Sequence, residues 1–457
     1  MRVAYLFQND FRIQNNELVA KALAEVLSKA NSEDIGLDFV IVKPKNFNSV
    51  DELGFPIWAN PKKKVFFQAL ESLSEEIQML NLNFYFFNDI IELNNYFQQR
   101  NTKLLFVAAS PFSYENEYRS IISSDIKIVS QVNNLLIEPD NLNFLFDSFT
   151  SFTKFKKAVE KSQWPIKIHN SSSLSLDQFK VDALKSKNKA SEIVLESSNL
   201  VSTQITSDLK SQTRRVLDWS QENLKDLKNV EVAFDLKGDR KTALTHLQTY
   251  LWDKKHIQHY KQTRNGMIEF YDSSKFSMWL AWGVLSPVEI FQEILAFEDK
   301  YKPNSSTYWL KLELLWRDYF KWMADNCGDL LFMPRGLSEE YIEPELSPIN
   351  TKLFNNWCEG KTRNSFINAN MIELKTSGFM SNRGRQNVAS YLVHELNLSW
   401  LWGAKWFESQ LIDYDPASNY GNWQYVSGVG GWGDHKFDYD WQSQTYDPDQ
   451  KYQKIWL

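Results

Sequence analysis

The sequence predicts an α/β N-terminal domain, a parallel sheet with crossover helices, followed by an all-α domain. Three observations carry this reading. Short apolar strands alternate with amphipathic helical segments over the first 165 residues. Beyond Phe234 strand signals give way to long helical patterns. Composition shifts at the same place: 14 of the 17 tryptophans follow residue 250, and only Gly36 and Gly54 of the 16 glycines precede residue 235.

Taken in order, Val3–Phe7 (VAYLF) reads as a strand and Glu17–Leu27 as a helix, because its apolar residues recur at helical spacing. Phe39–Val42 and Asn83–Phe87 read as strands around an amphipathic helix over Lys64–Leu80, and Lys103–Ala109 continues the alternation. Parallel neighbours need crossovers of helical length, and these segments supply them. Residues 1–165 are thus expected to form one domain. Ser, Lys, Asn and Asp dominate from Lys167 to about Asn229, so 166–234 reads as a surface connector with a few short helices. Residues 235–457 read as the helical domain, with helices over Ala243–Trp252, Pro287–Tyr301, Ser306–Ala324 and Arg385–Leu396.

Composition narrows the function. The longest apolar runs, such as Leu104–Ala109, fall far short of the ~20 residues of a membrane helix. The N-terminus turns polar too early for a signal peptide. Cys327 and Cys358 are too few for a disulfide framework or a metal cluster. A monomeric, cytoplasmic protein without a membrane partner is the expectation. A net charge of −6 argues against general electrostatic wrapping of nucleic acid and leaves room for a local basic patch.

Several stretches carry candidate chemistry. Asn382, Arg383, Arg385 and Asn387 crowd six residues directly before an apolar helical run, as if a polar group were held against a hydrophobic body. Asp413 and Asp415 alternate within an apolar, aromatic segment, where an aspartate needs a cation, and Arg383 or Arg385 could supply it. Tyr271–Ser277 (YDSSKFS) sets hydroxyls and a lysine at a helix start, which suits an anion or an ordinary cap. Glu313 and Arg317 are spaced i,i+4, enough for a surface salt bridge, but Leu312, Leu314, Leu315 and Trp316 surround the glutamate. Gly428–Gly433 (GVGGWG) matches a dinucleotide pattern yet precedes no helix, so it reads as a glycine loop. The six histidines show no ligand spacing; His256 and His259 read as a solvated helix face.

YKQTRNG, KFSMWLAWGVLSP, STYWLKLELLWRDYF, NANMIELKTSGFMSNRGRQNVASYLV, LWGAKWFESQLIDYD and SNYGNWQYVSGVG, in that order, resemble the photolyase/cryptochrome family of flavoproteins, most closely its DASH-type cryptochromes. NDFRIQNNELV resembles the N-terminal signature, with Gln8 and Asn15 as departures; RNSFINANM and Met278 also depart. The resemblance implies an α/β domain, a long connector and a helical domain holding FAD. It places Ser273, Ser274, Lys275, Phe276 and Ser277 at the FAD phosphates with Tyr260 and Arg317 nearby. Glu313, Asn382, Arg385, Asp413 and Asp415 would also contact the cofactor, with Arg385 paired to Asp413, and Asn419 would face flavin N5.

The implied reaction is blue-light-driven splitting of cyclobutane pyrimidine dimers by an electron from excited reduced flavin, on a dimer taken out of the base stack. Glu313 would hydrogen-bond the dimer and Trp316 and Tyr425 would pack on it, with Arg264, Asn382, Arg383 and Gln386 completing the pocket. Damaged single-stranded DNA is the expected partner, since flipping costs least there, with RNA as a further candidate. Trp423, then Trp400, then Trp357 near the surface match the photoreduction chain. Glu117 is the residue nominated for a methenyltetrahydrofolate antenna. Competing readings are a blue-light photoreceptor without repair and a flavin-free nucleic-acid-binding module. Repair of the (6-4) photoproduct is disfavoured because SNRGRQN has no histidine, and the chain ends at YDPDQKYQKIWL without a long signalling tail.

Overall fold

The computed structural model describes residues 2–29, 35–147, 150–164, 214–336, 341–429 and 436–457. Most of the expected connector, with His169, and Gly430–Gly433 of the glycine loop, with His435, lie outside the described residues.

Six strands form one sheet: β1 Arg2–Leu6, β2 Gly36–Val42, β3 Asn83–Phe87, β4 Thr102–Ala108, β5 Lys127–Gln131 and β6 Arg214–Arg215. Their order is β5-β4-β1-β2-β3-β6. The first five pair in parallel and β6 joins antiparallel at the edge. Helices Glu17–Lys29, Asn60–Met79 and Ile90–Gln99 make crossovers. Alternate side chains of β1 feed opposite faces: Val3 and Tyr5 join one core, Ala4 and Leu6 the other. Burial on both faces is why this strand reads as a continuous apolar run.

The last part of the connector is not a surface segment. Trp219, on helix Val216–Asp226, stacks on Phe86 of β3 at 3.8 Å and packs edge-on to Phe67. One large aromatic ring anchors a segment whose other residues are mostly polar, which is why periodicity understated it.

The helical domain follows its caps. Asn304 accepts from Ser306 and Thr307 N–H at 2.7 and 3.0 Å and starts the Ser305–Cys327 helix; Ser286 and Glu289 form a capping box before Pro287–Tyr301. Two segments expected as continuous helices end in π turns, Thr249–Asp253 and Tyr391–Glu395. His256–His259 is a 3-10 turn, and His256 is half-buried, stacked on Tyr271 at 4.2 Å.

The N-terminal signature joins the two domains. Arg12, buried, donates to Gly283 O at 2.8 Å, and Asn15 donates to Glu289 at 2.6 Å, itself paired with Arg240 at 2.5 Å. Gly283 has φ +66, and a Cβ there would lie 2.3 Å from Asn9 O, so only glycine permits this approach. Trp282 receives Phe11 N–H at its carbonyl and donates its indole N–H to Ile412 O at 2.9 Å. The interface thereby fixes the segment that carries Asp413 and Asp415.

Candidate functional site

The Asn382–Asn387 polar cluster starts a helix, Asn382–Ser390, capped by Ser381, which accepts from Gly384 N–H at 3.0 Å. Arg385 donates Nε to Met380 O at 2.9 Å and one terminal nitrogen to both Asp413 oxygens at 3.0 and 2.9 Å. The expected Arg385–Asp413 pair is present. Asp415 behaves differently: it caps the Pro416–Ser427 helix through Ser418 N–H at 2.9 Å and pairs with Lys321 at 2.5 Å, not with an arginine of the cluster. Burial opposes its ionisation, but Lys321 and Arg317 hold its carboxyl down at about 2. Sequence reading missed Lys321, although Glu313, Arg317 and Lys321 repeat at helical spacing and so share a face.

Arg385, Asp413, Asp415 and Ser418 line a cleft of about 660 Å³, open solvent at its mouth included. Asn382, Gln386, Asn419 and Tyr425 add polar lining; Ala389, Phe407, Leu411 and Trp423 add apolar lining. Asn419 is held by its Nδ2–H on Ala404 O at 3.0 Å.

Lys275 has φ +54 and is buried, its ammonium 4.9 Å from the Phe234 ring and 5.0 Å from the Phe379 ring, donating to Ser273 Oγ at 2.8 Å. Burial lowers its pKa to about 8, and it feels the charges of Arg385 and Asp413. Ser274 O meets His246 Nε2 at 2.8 Å; Phe276 is buried and Ser277 exposed.

Glu313 does not pair with Arg317. It pairs with Arg264, whose guanidinium lies 5.0 Å from the Trp309 ring, and buried Tyr260 sits beside both. Burial raises the Glu313 carboxyl above its ordinary range while Arg264 pulls it down. Arg317 donates instead to Asn134 O at 2.5 Å, strapping the helical domain to the α/β domain. Arg383 donates to Gln386 at 3.0 Å and Asn265 at 3.2 Å and lies 4.6 Å from the Tyr446 ring, while Asn387 donates to Arg383 O and to Gln442.

One placement corrects the sequence reading, and two others add neighbours it did not foresee. Trp357 is fully buried, 6.3 Å from Trp423, so it does not end a chain near the surface. Its apolar helix neighbours turn it inward, where its indole N–H meets Val388 O. Trp316 stacks on Phe152 at 3.5 Å and 10°, which covers one face of the ring expected to pack on a substrate. Glu117 is exposed and pairs with Lys45 at 2.6 Å, while its neighbour Glu115 is the one bonded to Asn9 and Ser110 at the domain interface. Among the described residues no His, Cys, Asp and Glu cluster could hold a metal, and no helix is long and apolar enough to cross a membrane.

The donor set fits FAD. A buried lysine whose nearest donor contact is a serine hydroxyl suits a diphosphate, and the half-polar, half-apolar cleft suits a flat heterocycle with a polyol chain. Comparison with known proteins agrees. Residues 309–457 match the FAD binding domain of DNA photolyase. The chloroplastic/mitochondrial cryptochrome DASH of Arabidopsis thaliana is 31% identical over 99% of this chain and 74% of its own length. Cryptochrome DASH of Idiomarina loihiensis is 32% identical over 99% of this chain and 92% of its own. Other cryptochrome DASH proteins reach 44–48% identity, over about half of this chain and less than half of their own lengths. The crystal structure of the Synechocystis sp. PCC6803 cryptochrome superposes with TM-score 0.80 at 28% identity, covering 100% of this chain and 88% of that one. The chain therefore belongs to the photolyase/cryptochrome family, among the DASH cryptochromes, and its helical half is an FAD-binding domain.

Proposed function

We propose that the protein is a light-driven DNA photolyase acting on cyclobutane pyrimidine dimers, with a preference for single-stranded DNA. The observation that carries this is Glu313, a part-buried carboxyl paired with Arg264 next to buried Tyr260, raised by burial and drawn down by Arg264. A protonated carboxyl donates a hydrogen bond to a pyrimidine carbonyl, which a fixed carboxylate cannot do. When bound, reduced FAD supplies the light-driven electron that splits the dimer. Asn419 offers the flavin edge a neutral amide that either donates or accepts. Arg264 orients Glu313, Arg383 offers a cation to the strand, and Asn382, Gln386 and Tyr425 line the approach. Lys275 and its flanking serines, Ser273, Ser274 and Ser277, take the phosphates, and Arg385 and Asp413 hold the ring. Local cations and aromatic faces suit a single strand, on which stacking matters more than the net charge of −6.

One observation favours a second reading, a blue-light photoreceptor without repair: the Phe152 ring already occupies one face of Trp316. The test is dimer repair by the photoreduced protein on single-stranded and duplex oligonucleotides carrying one thymine dimer, in blue light and in darkness. Light-dependent recovery on the single strand, lost in Glu313→Ala, is the expected result. A yellow protein that photoreduces but repairs neither substrate would leave the photoreceptor.

A further inference from the structure

A second cavity, of about 860 Å³ with open solvent at its mouth included, shares no lining residue with the cleft. The Ala233–Asp235 turn that ends the connector, the Ser365–Ser377 helix and the Lys451–Trp456 helix contribute walls to it. Its rim is apolar and open: Phe234, Ile268 and Ile455 are exposed, and all three line it. Phe234 and Asp235 have φ of +56 and +53, two successive left-handed residues without a glycine. Backbone held in that region is a feature of ligand clamps.

Glu373 lines the same cavity and is only 3% exposed. Tyr452 Oη lies 2.5 Å from Glu373 Oε2 and 3.1 Å from Asn370 Oδ1. Asn370 donates Nδ2–H to Phe366 O at 2.7 Å, which fixes its Oδ1 as an acceptor. One phenol proton cannot serve two acceptors, so the carboxyl supplies the second: Glu373 Oε2–H donates to Tyr452, and Tyr452 donates to Asn370. Burial acts in the same direction and pushes the Glu373 carboxyl up to about 7. Glu373 Oε1 has no hydrogen-bond partner among the described residues and is the acceptor left to the cavity. The other polar lining, the Trp456 indole apart, accepts as well. Glu231 and Asp235 are exposed carboxylates, and Ser377 already donates its hydroxyl proton to Glu373 O at 2.8 Å. The cations that act on Glu373, Lys275 and Arg385, do not line the cavity.

We propose that this cavity binds a primary organic ammonium with an apolar body, its N–H group on Glu373 Oε1 and its body against Phe234, Ile268 and Trp456. A cavity of acceptors selects a ligand that donates, and apolar walls select one with a carbon frame. An ammonium has three donors and no acceptor, and the faces of Phe234 and Trp456 suit a cation. Glu231 and Asp235 attract it to the rim. On binding, the ammonium takes the place of the Glu373 proton, which leaves to water, and Tyr452 turns its O–H to the ionised carboxylate. No bond of the ligand changes. The site is independent of the repair reading, since it uses none of the cleft's residues.

The test is calorimetric titration of the flavin-loaded protein with benzylamine, and with benzyl alcohol as its uncharged counterpart. Titrations run between about pH 5.5 and 7.5, below the range in which Lys275, at about 8, loses its charge. Benzylamine should bind at least about tenfold more tightly than benzyl alcohol. Its affinity should fall by about tenfold per pH unit below the Glu373 value of about 7, because the proton must be displaced. Glu373→Gln keeps the size of the side chain and removes the ionisation; binding should weaken about tenfold and lose its pH dependence. Ile268→Trp fills the open rim and should abolish binding while the flavin absorbance stays. No binding of benzylamine by the parent, equal binding of benzyl alcohol, or binding that survives Ile268→Trp overturns the proposal. If Glu373→Gln does not fold, Ile268→Trp and the pH profile of the parent decide it.

Discussion

Two kinds of carboxylate–cation pair differ in what they are free to do. In the cleft lining, Asp413 and Asp415 are buried and meet Arg385 and Lys321. Asp415 is held ionised down to about 2 because two cations outweigh its desolvation. Outside that lining, Glu313 has a third of its side chain exposed and a single cation, Arg264, and there burial wins and raises the carboxyl. A carboxylate–cation pair thus gives a fixed charge at Asp415 and a titratable group at Glu313. A fixed charge suits holding a cofactor; a titratable group suits a substrate that comes and goes.

The sharpest way to break this comparison is to remove the cation paired with Asp415. Lys321→Met leaves Asp415 buried without its closest partner and should cost about 3–5 kcal/mol of stability, read by chemical denaturation, with loss of the flavin absorbance. A cost near zero would mean that Arg317 alone suffices for Asp415.

Acid gives the next effect. The Asp415 pKa is depressed from 3.8 to about 2, so its contribution is fully present above pH 3.8 and is lost as pH falls from there toward 2. That contribution is about 2.5 kcal/mol, and Asp415→Asn should flatten the stability profile across this window and nowhere else.

Glu313 should respond in function more than in stability. Glu313→Gln is expected to change stability by less than about 1 kcal/mol, because the pair is partly solvated. If the protonated carboxyl is the donor, dimer binding by the parent weakens as pH rises through the raised Glu313 pKa, by roughly tenfold when one hydrogen bond is lost. Binding by Glu313→Gln should stay flat over the same range, which titration of a dimer-bearing oligonucleotide would reveal.

Much of the molecule was legible in the chain. The β1 to β4 pattern, the crossover helices Glu17–Lys29 and Asn60–Met79 and the long Ser305–Cys327 helix follow from apolar periodicity, whereas the Ile90–Gln99 crossover was not read. The residue pattern left Arg383 or Arg385 as the cation for Asp413 and Asp415, and only the family resemblance named the Arg385–Asp413 pair. The β5 strand was missed because KIVSQ is short and half polar, and the end of the connector because its packing rests on one ring, Trp219.

What the sequence by itself determined is therefore local and chemical: where strands and helices run, and which polar residues stand in apolar surroundings and need partners. The tertiary structure alone decided who those partners are. Arg317, four residues from Glu313, went to Asn134 of the other domain, and Lys321 went to Asp415, 94 positions away. The same holds for Trp357, which was expected near the surface and is buried against Trp423. Spacing along a helix fixes the direction in which a side chain leaves, but the element that meets it there is set by how the helices and the sheet pack.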